Sequence, residues 1–295
     1  MNPDFAAKPF PIPVVALGAG SQPTEEGLEV LQMPSGMATY RAPVLPEPED
    51  LAGHDGAVGV LRQALAHLHQ AVAGQPVSAI DLGGLAPADL QLVNQVLGEG
   101  EVSAQVLRRP GDMAGGAQVR VQESVFAGVW RVVLQADDGR QHDWIEIGPV
   151  PEVLVHAAQE DGRHAPAPLP LPPGVLNARS VLTELAAHRQ TWRAGQPAEV
   201  VNLSLLPLAP EDIAYLDAQI GTGRVLILSR GYGNCRITNA CVPHTWRVVY
   251  YNSQDTVILN AVEVVRIPEV ACAAPEDLAD SAERLHEVLA WVEQG

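Results

Sequence analysis

Apolar positions along this chain recur with two periods, one helical and one extended, and the alternation between them is laid down twice. Over residues 57–73, Val60, Leu61, Ala64, Leu65, Leu68, Ala71 and Val72 share one face of a helix. Gly74-Gln-Pro76 stops that helix, and Val77–Leu82 reads as a strand. Pro87 opens a second helix, with Asp89 in its first turn against the positive end of the helix dipole. Leu90, Val93, Val96 and Leu97 form its stripe, and Gly98 ends it. Four strands follow, Val102–Leu107, Val119–Phe126, Val129–Leu134 and Trp144–Ile147, rich in branched and aromatic residues. Turns fall at Gly115-Gly116, Ala127-Gly128 and Asp137-Asp-Gly139. Further on, the pattern predicts a helix over 178–193, a strand over 198–205, a helix over 210–220 and strands near 224–230, 245–251 and 256–265. A last helix covers 275–293; Pro275, Glu276 and Asp277 open it, and Leu278, Leu285, Leu289 and Val292 make its stripe.

The two series are copies. Ala73-Gly-Gln-Pro76, Leu85-Ala-Pro-Ala-Asp-Leu90, Leu97-Gly-Glu-Gly-Glu-Val102 and Val129-Trp-Arg-Val-Val133 return in order as Ala194-Gly-Gln-Pro197, Leu208-Ala-Pro-Glu-Asp-Ile213, Ile220-Gly-Thr-Gly-Arg-Val225 and Thr245-Trp-Arg-Val-Val249. Glu146 with Pro151-Glu-Val153 is echoed by Glu263 with Pro268-Glu-Val270. A duplicated module of roughly one hundred residues accounts for landmarks kept in register. The expected fold class is α+β: two tandem pseudo-repeated modules, each a small, mostly antiparallel sheet with flanking helices. The divisions are an extended, acidic, proline-rich arm (1–55), a first module (56–160), a linker (161–177) and a second module with the C-terminal helix (178–295). Pro166, Pro168, Pro170, Pro172 and Pro173 make the linker a stiff polyproline spacer. Two readings of the arm fit: Tyr40, Met33 and Met37 anchor it on the folded body, or it is disordered when free.

Charge narrows the choice of partners. The chain carries 35 acidic and 18 basic residues, a net −17, with acids concentrated at both ends. Nucleic acid and anionic membrane are poor partners for such a surface, and a basic polypeptide is an easier one, while solubility alone also accounts for the acidity. Cys235, Cys241 and Cys272 are too few, and odd in number, for a disulfide framework, which points to a reducing compartment. Val14-Val-Ala-Leu-Gly-Ala-Gly20 is too short and glycine-rich for a signal core, and no segment approaches the roughly twenty apolar residues of a membrane span. The expected location is cytoplasmic.

Candidate chemistry is sparse. Leu97-Gly-Glu-Gly-Glu101 lacks the third glycine and following helix of a dinucleotide fingerprint, and its acids would repel phosphate; it reads as helix cap plus turn. No Gly-x-Ser-x-Gly elbow or His-Glu-x-x-His is present. His67 and His69, two apart on a helix, do not share a face. Glu146 and Glu263 recur between copies, which argues for a structural role. No catalytic, cofactor-binding or metal site is assigned, and no cofactor is expected. What the second copy adds is Gly231-Tyr-Gly-Asn-Cys-Arg236 running to Cys241, where the first has Pro110-Gly-Asp-Met-Ala-Gly-Gly116. Gly231 and Gly233 would let Tyr232, Asn234, Cys235 and Arg236 project from a constrained turn, and Arg230 with Arg236 would favour thiolate at Cys235. A structural turn with an incidental cysteine, a partner-contact loop and a thiol-dependent loop all fit. Asn252, Ser253, Gln254 and Asp255 form a polar tip between apolar strands, either a hairpin turn or a binding edge.

At these residues the chain resembles the HupH/HoxQ/HyaF family of hydrogenase expression/formation proteins. Gly231-Tyr-Gly-Asn-Cys235, Asn252-Ser-Gln-Asp255 with Ile258-Leu-Asn260, and Ala271-Cys-Ala-Ala-Pro-Glu-Asp-Leu278 carry the likeness. Gly98-Glu-Gly-Glu-Val-Ser103 and Glu123-Ser-Val-Phe-Ala-Gly-Val-Trp130 extend it to the first half. Arg247 departs from the pattern, which leads one to expect a second aromatic beside Trp246. The resemblance implies a non-catalytic chaperone for the iron–sulphur small subunit of a membrane-bound nickel–iron uptake hydrogenase, acting before twin-arginine export. It implies the small-subunit precursor as partner, with a thioredoxin-like companion chaperone alongside. The alternative is an iron–sulphur cluster or metal carrier using Cys235, Cys241 and Cys272; clusters usually need four thiolates, so a second chain would have to contribute. Partner-contact candidates are Gly231 through Arg236 and Asn252 through Asp255.

Overall fold

The computed structural model describes residues 53–107, 118–136, 138–231 and 233–293. The expected arm lies outside the described residues but for its last few positions. The first copy forms α1 (Asp55–Val72), β1 (Ile80–Asp81), α2 (Pro87–Leu97), β2 (Val102–Val106), β3 (Gln118–Glu123), β4 (Val129–Gln135), β5 (Gln141–Ile147) and α3 (Glu152–Asp161). The second forms α4 (Ala178–Thr191), β6 (Glu199–Asn202), α5 (Pro210–Ile220), β7 (Val225–Ser229), β8 (Asn234–Asn239), β9 (Thr245–Tyr251), β10 (Val257–Val264) and α6 (Pro275–Glu293). Short 3-10 turns at Leu203–Leu205 and Glu269–Ala271 complete it.

The α+β class and the duplication hold, but the two sheets are one. Ten strands run in the order β1-β5-β4-β3-β2-β7-β8-β9-β10-β6, with every pairing antiparallel. The halves meet at β2 and β7, where Val102 faces Ser229, Ala104 faces Ile227 and Val106 faces Val225. Val102 and Val225 are equivalent landmarks, so Ala104 and Ile227 are equivalent too, and they face each other. A pseudo-twofold axis therefore passes between these two residues, and each copy supplies the neighbour that hides the other's inner strand edge. Among the described residues β1 and β6 are the edges, two and four residues long, short enough to discourage pairing with other chains.

Alternation along the strands gives the sheet two unlike faces. One carries Ala104, Val121, Trp130, Val132, Ile227, Ile237, Trp246 and Val248, a buried cluster closed by Leu154 and Val155 of α3 and by Ala271. Trp130 and Trp246 are equivalents, each 1% exposed, and their indole N–H groups donate to Gly148 O and Arg266 O. The other face is covered at its flanks only. Over the first half lie α1 and α2, with Leu61, Leu68, Val93 and Val96 against Ile145 and Ile80; over the second lie α4 and α5, with Val181, Leu185 and Leu216 against Val262 and Val264.

The Gly-x-Gly echo is cap plus turn in both copies. Gly98 and Gly221 end α2 and α5 with positive φ, 55° and 67°. Gly100 and Gly223 then donate to Glu123 O and Asn239 O, both at 2.7 Å, across a gap that a side chain would fill.

Three expectations are corrected. The stretch 234–239, read as part of a constrained loop, is strand β8. Helix α3 follows β5, where none was expected. The C-terminal helix, grouped with the second module, packs on the first: Leu278, Ala282, Leu285 and Leu289 lie in one cluster with α1 and α2. The linker is seated rather than free, for Tyr215 Oη donates to Leu169 O and Pro166 lies against Gly221.

Candidate functional site

The structure presents two open surfaces. The first is one end of the sheet. Because Asn234 pairs with Tyr251, the turn leading into β8 and the turn joining β9 to β10 lie side by side. Gly231, Gly233 and Asn234 thus stand next to Asn252, Ser253, Gln254 and Asp255; Tyr232 lies outside the described residues. Gly231 bridges to Gly233 and abuts the Glu101 side chain, and Arg230 N donates to Glu101 O, so both copies contribute to this end. The polar tip is a side-chain-braced turn: Asn252 Oδ1 accepts from Gln254 N and Thr256 N, at 2.8 and 2.9 Å. Asp255 holds a φ of 56° there, a conformation Asp tolerates better than most residues.

Cys235 does not belong to that surface. Period-two alternation turns its side chain into the core, where it is 3% exposed, and turns Arg236 to the opposite face. The thiolate expected from the neighbouring arginines is overturned: burial pushes the thiol up to about 12, which a hydrogen bond with Tyr250 only partly opposes. Burial likewise raises Cys272, to about 11. Cys241 stands beyond the far end of β8, six residues from Cys235, roughly 20 Å along an extended chain. Its Sγ lies 3.3 Å from Thr222 O. Among the described residues no group of three or more His, Cys, Asp or Glu is placed to hold a metal ion.

The second surface was not legible in advance. Between the flanking helix pairs, the uncovered face of β3, β2 and β7 forms a groove of about 610 Å³, walled by the end of α2 and floored by Gln105, Gln122, Leu226 and Leu228. Arg120, Arg131 and Arg230 line it, with Glu99 at the rim. Arg131 is committed to Asp143 by two hydrogen bonds of 3.0 and 2.6 Å. Across the axis, Arg236 sits opposite Leu228 on the same face, and Arg247 pairs with Asp217 of α5 at 2.8 Å.

Glu146 and three aspartates, Asp89, Asp161 and Asp212, brace the fold. Glu146 accepts from Trp144 Nε1 and from Glu152 N at the start of α3. Asp212 Oδ1 accepts from the N–H groups of Leu176, Asn177 and Ala178, and its Oδ2 from Ala209 N. Burial opposes its ionisation, yet these donors hold its carboxyl below the usual range. Its equivalent, Asp89, pairs with His54 at 2.9 Å, so each acid ties its helix to the helix that begins the module. Across the axis, Asp161 of α3 accepts from Arg224 and Asn239; these bonds outweigh burial and lower its pKa.

The frame is two fused copies with Cys235 buried in the core and two open surfaces, and comparison with known proteins says to which family it belongs. The HupH hydrogenase expression protein C-terminal conserved region matches residues 55–169 and again 175–292. The chain belongs to this family of hydrogenase expression/formation proteins. It is 52% identical to the hydrogenase expression/formation protein HoxQ of Cupriavidus necator, over 96% of this chain and 98% of that one. It is 44% identical to HupH of Rhodobacter capsulatus, over 95% and 97% of the two chains, and 32% identical to the hydrogenase-1 operon protein HyaF of Escherichia coli, over 94% and 95%. A solved HupH from Thiobacillus denitrificans aligns at 29% identity over 39% of this chain and 95% of its own, with a TM-score of 0.36.

Proposed function

We propose that this protein is a non-catalytic maturation factor that holds the iron–sulphur small subunit of a membrane-bound nickel–iron uptake hydrogenase in the cytoplasm before twin-arginine export. The observation that carries the reading is the near full-length match, at 32–52% identity, to proteins named for hydrogenase expression and formation. Two features support a holding role. The fold offers two open surfaces, and its most distinctive thiol is sealed in the core. An acidic chain of net charge −17 suits a client that leads with a basic export signal. A thioredoxin-like companion chaperone fits the same complex as a further partner.

Affinity purification of the tagged full-length protein from hydrogenase-expressing cells tests the reading. The small-subunit precursor, with its signal segment intact, is the expected partner. Recovery of the large subunit instead, or of no hydrogenase polypeptide under mild conditions, would refute it. Cys235→Ser/Cys241→Ser/Cys272→Ser separates holding from cluster carriage, since a holder still supports maturation without its thiols.

A further inference from the structure

We propose that the hollow between the end of α3 and the turn joining β8 to β9 binds a small oxyanion, with Arg163 and His244 as its donors. The hollow measures about 240 Å³. Its polar side chains are those of Gln159, Arg163, Asn239, His244, Thr245 and Arg266, with no Asp or Glu among them. A volume below that of sites for drug-sized ligands suits a small ion together with its waters.

The duplication marks this hollow as a specialisation of one copy. Val265 N donates to His244 O as Gly148 N donates to Gly128 O, so His244 stands where the first copy has Gly128, and Arg266 where it has Pro149. In the first copy Leu278 of α6 lies directly against Gly128. In the second the place is open, and an imidazole and a guanidinium have been added to its wall. The turn itself calls for glycine: φ is 81° at Gly128 and 55° at His244, a conformation that glycine adopts freely and other residues at a cost. Trp192 packs on the imidazole, with ring centroids 5.0 Å apart, and fixes it at the hollow. A histidine kept where glycine is the easier residue is accounted for by a use of its ring.

Of the charged groups that line or brace the hollow, one is unpaired. Glu152 holds Arg266 through two hydrogen bonds of 2.6 and 2.9 Å. Glu160 and Asp161, at the end of α3, are both taken by Arg224, and Asp161 also accepts from Asn239. Thr245 Oγ1 is turned to Pro243 O. Arg163 has no ion-pair partner among the described residues. Its planar fork of N–H donors matches the oxygens of an oxyanion. Burial lowers the pKa of His244, so at neutral pH its ring is uncharged and offers one N–H. The paired charges largely cancel, and Arg163 supplies the attraction.

Sulfate and acetate, each added to the full-length protein against chloride at constant ionic strength, test the site by NMR. The backbone amide signals of Gly162 and Thr245 should move saturably with at least one of them, with half-saturation at or below about 10 mM. Sulfate alone would mark a tetrahedral ligand, and acetate alone a carboxylate. With the anion bound, the His244 ring should titrate at higher pH, because an adjacent negative charge favours its protonated form. Arg163→Gln, an exposed position, should weaken binding roughly ten-fold or more. His244→Gly, which installs the residue that the first copy carries at this turn, should fold and lose affinity to a similar degree. Equal movement with chloride, no saturation by either oxyanion up to about 50 mM, or unchanged affinity in either variant overturns the proposal.

Discussion

Replacing Glu123 by glutamine should stabilise the protein at neutral pH and flatten its pH dependence. Glu123 ends β3, is 6% exposed and sits beneath α6. Burial drives its carboxyl up to about 7; hydrogen bonds from Gly128 N and Val102 N oppose the rise, and Glu101 and Asp277 add to it. The folded form therefore binds the proton more tightly than the unfolded chain. Stability from this group is fully present below the unfolded value of about 4.5 and is lost as pH rises through about 7. A shift of that size corresponds to about 3 kcal/mol lost above pH 8, most of it between pH 5 and 8. Glutamine keeps an acceptor for both N–H groups and carries no charge. The second copy already contains the experiment: Asn239 occupies the equivalent position and accepts from Val225 N at 2.8 Å. Urea unfolding of wild type and Glu123→Gln at pH 5, 6, 7 and 8 measures the effect. The variant should gain about 2–3 kcal/mol at pH 8 and well under half of that at pH 5. Equal gains at every pH, or none, would refute the placement of an ionisable group in this core. Asp161 and Asp212, held below their usual range, lose their contribution only as pH falls below about 4, outside the window compared.

Asp212→Ala strands four backbone N–H groups between α4 and α5 and should cost about 3–5 kcal/mol by denaturant unfolding. Asp212→Asn, which keeps one acceptor, should cost less. Gly128→Ala places a methyl group against Leu278 at a φ of 81°, and should lower the melting temperature by several degrees through loss of the α6 contact. Alkylation of the native protein at pH 7.5, followed by mass spectrometry, should label Cys235 at least about 100-fold more slowly than free cysteine. Labelling at the free rate would show that β8 leaves the sheet.

Local order was readable from the sequence where one rule acted alone. Helices α1, α2, α5 and α6 begin and end within two residues of the pattern, because proline, glycine and the apolar stripe agree. Strand β8 was missed although Cys235 and Ile237 alternate with Asn234, Arg236 and Thr238 as a half-buried strand should. The flanking Gly231 and Gly233 suggested a loop, and two glycines decide a turn, not the six residues after it. Helix α3 begins at Glu152 with no Ser, Thr, Asp or Asn before it; its N-terminal cap comes from Glu146, six residues away on β5. A cap supplied through tertiary structure has no local signature. The groove was illegible for the same reason. Arg120, Arg131 and Arg230 come from three separate elements, and only the register of β4, β3, β2 and β7 gathers them.

The duplication explains how a single chain builds such a surface. Two related half-sheets joined through β2 and β7 place their axis at Ala104 and Ile227, so whatever each copy lacks on its inner edge the other provides. Helices α1/α2 and α4/α5 stand on opposite sides of that axis and leave it uncovered, because each pair packs on the outer strands of its own half, against Ile80 and Ile145 or against Val262 and Val264. The uncovered strip is therefore a consequence of the symmetry. What breaks the symmetry is α6, which leaves the second copy and closes the first against Phe126 and Gly128. Arg284 of that helix lies over the Phe126 ring at 5.4 Å and donates to Val125 O. A fragment ending at residue 174 would expose Leu61, Leu68, Val93 and Phe126 where α6 belongs. It should aggregate on expression and be rescued by residues 175–293 supplied in trans. A soluble, cooperatively folding fragment would mean that the copies are independent domains and that the shared sheet is not what holds them together.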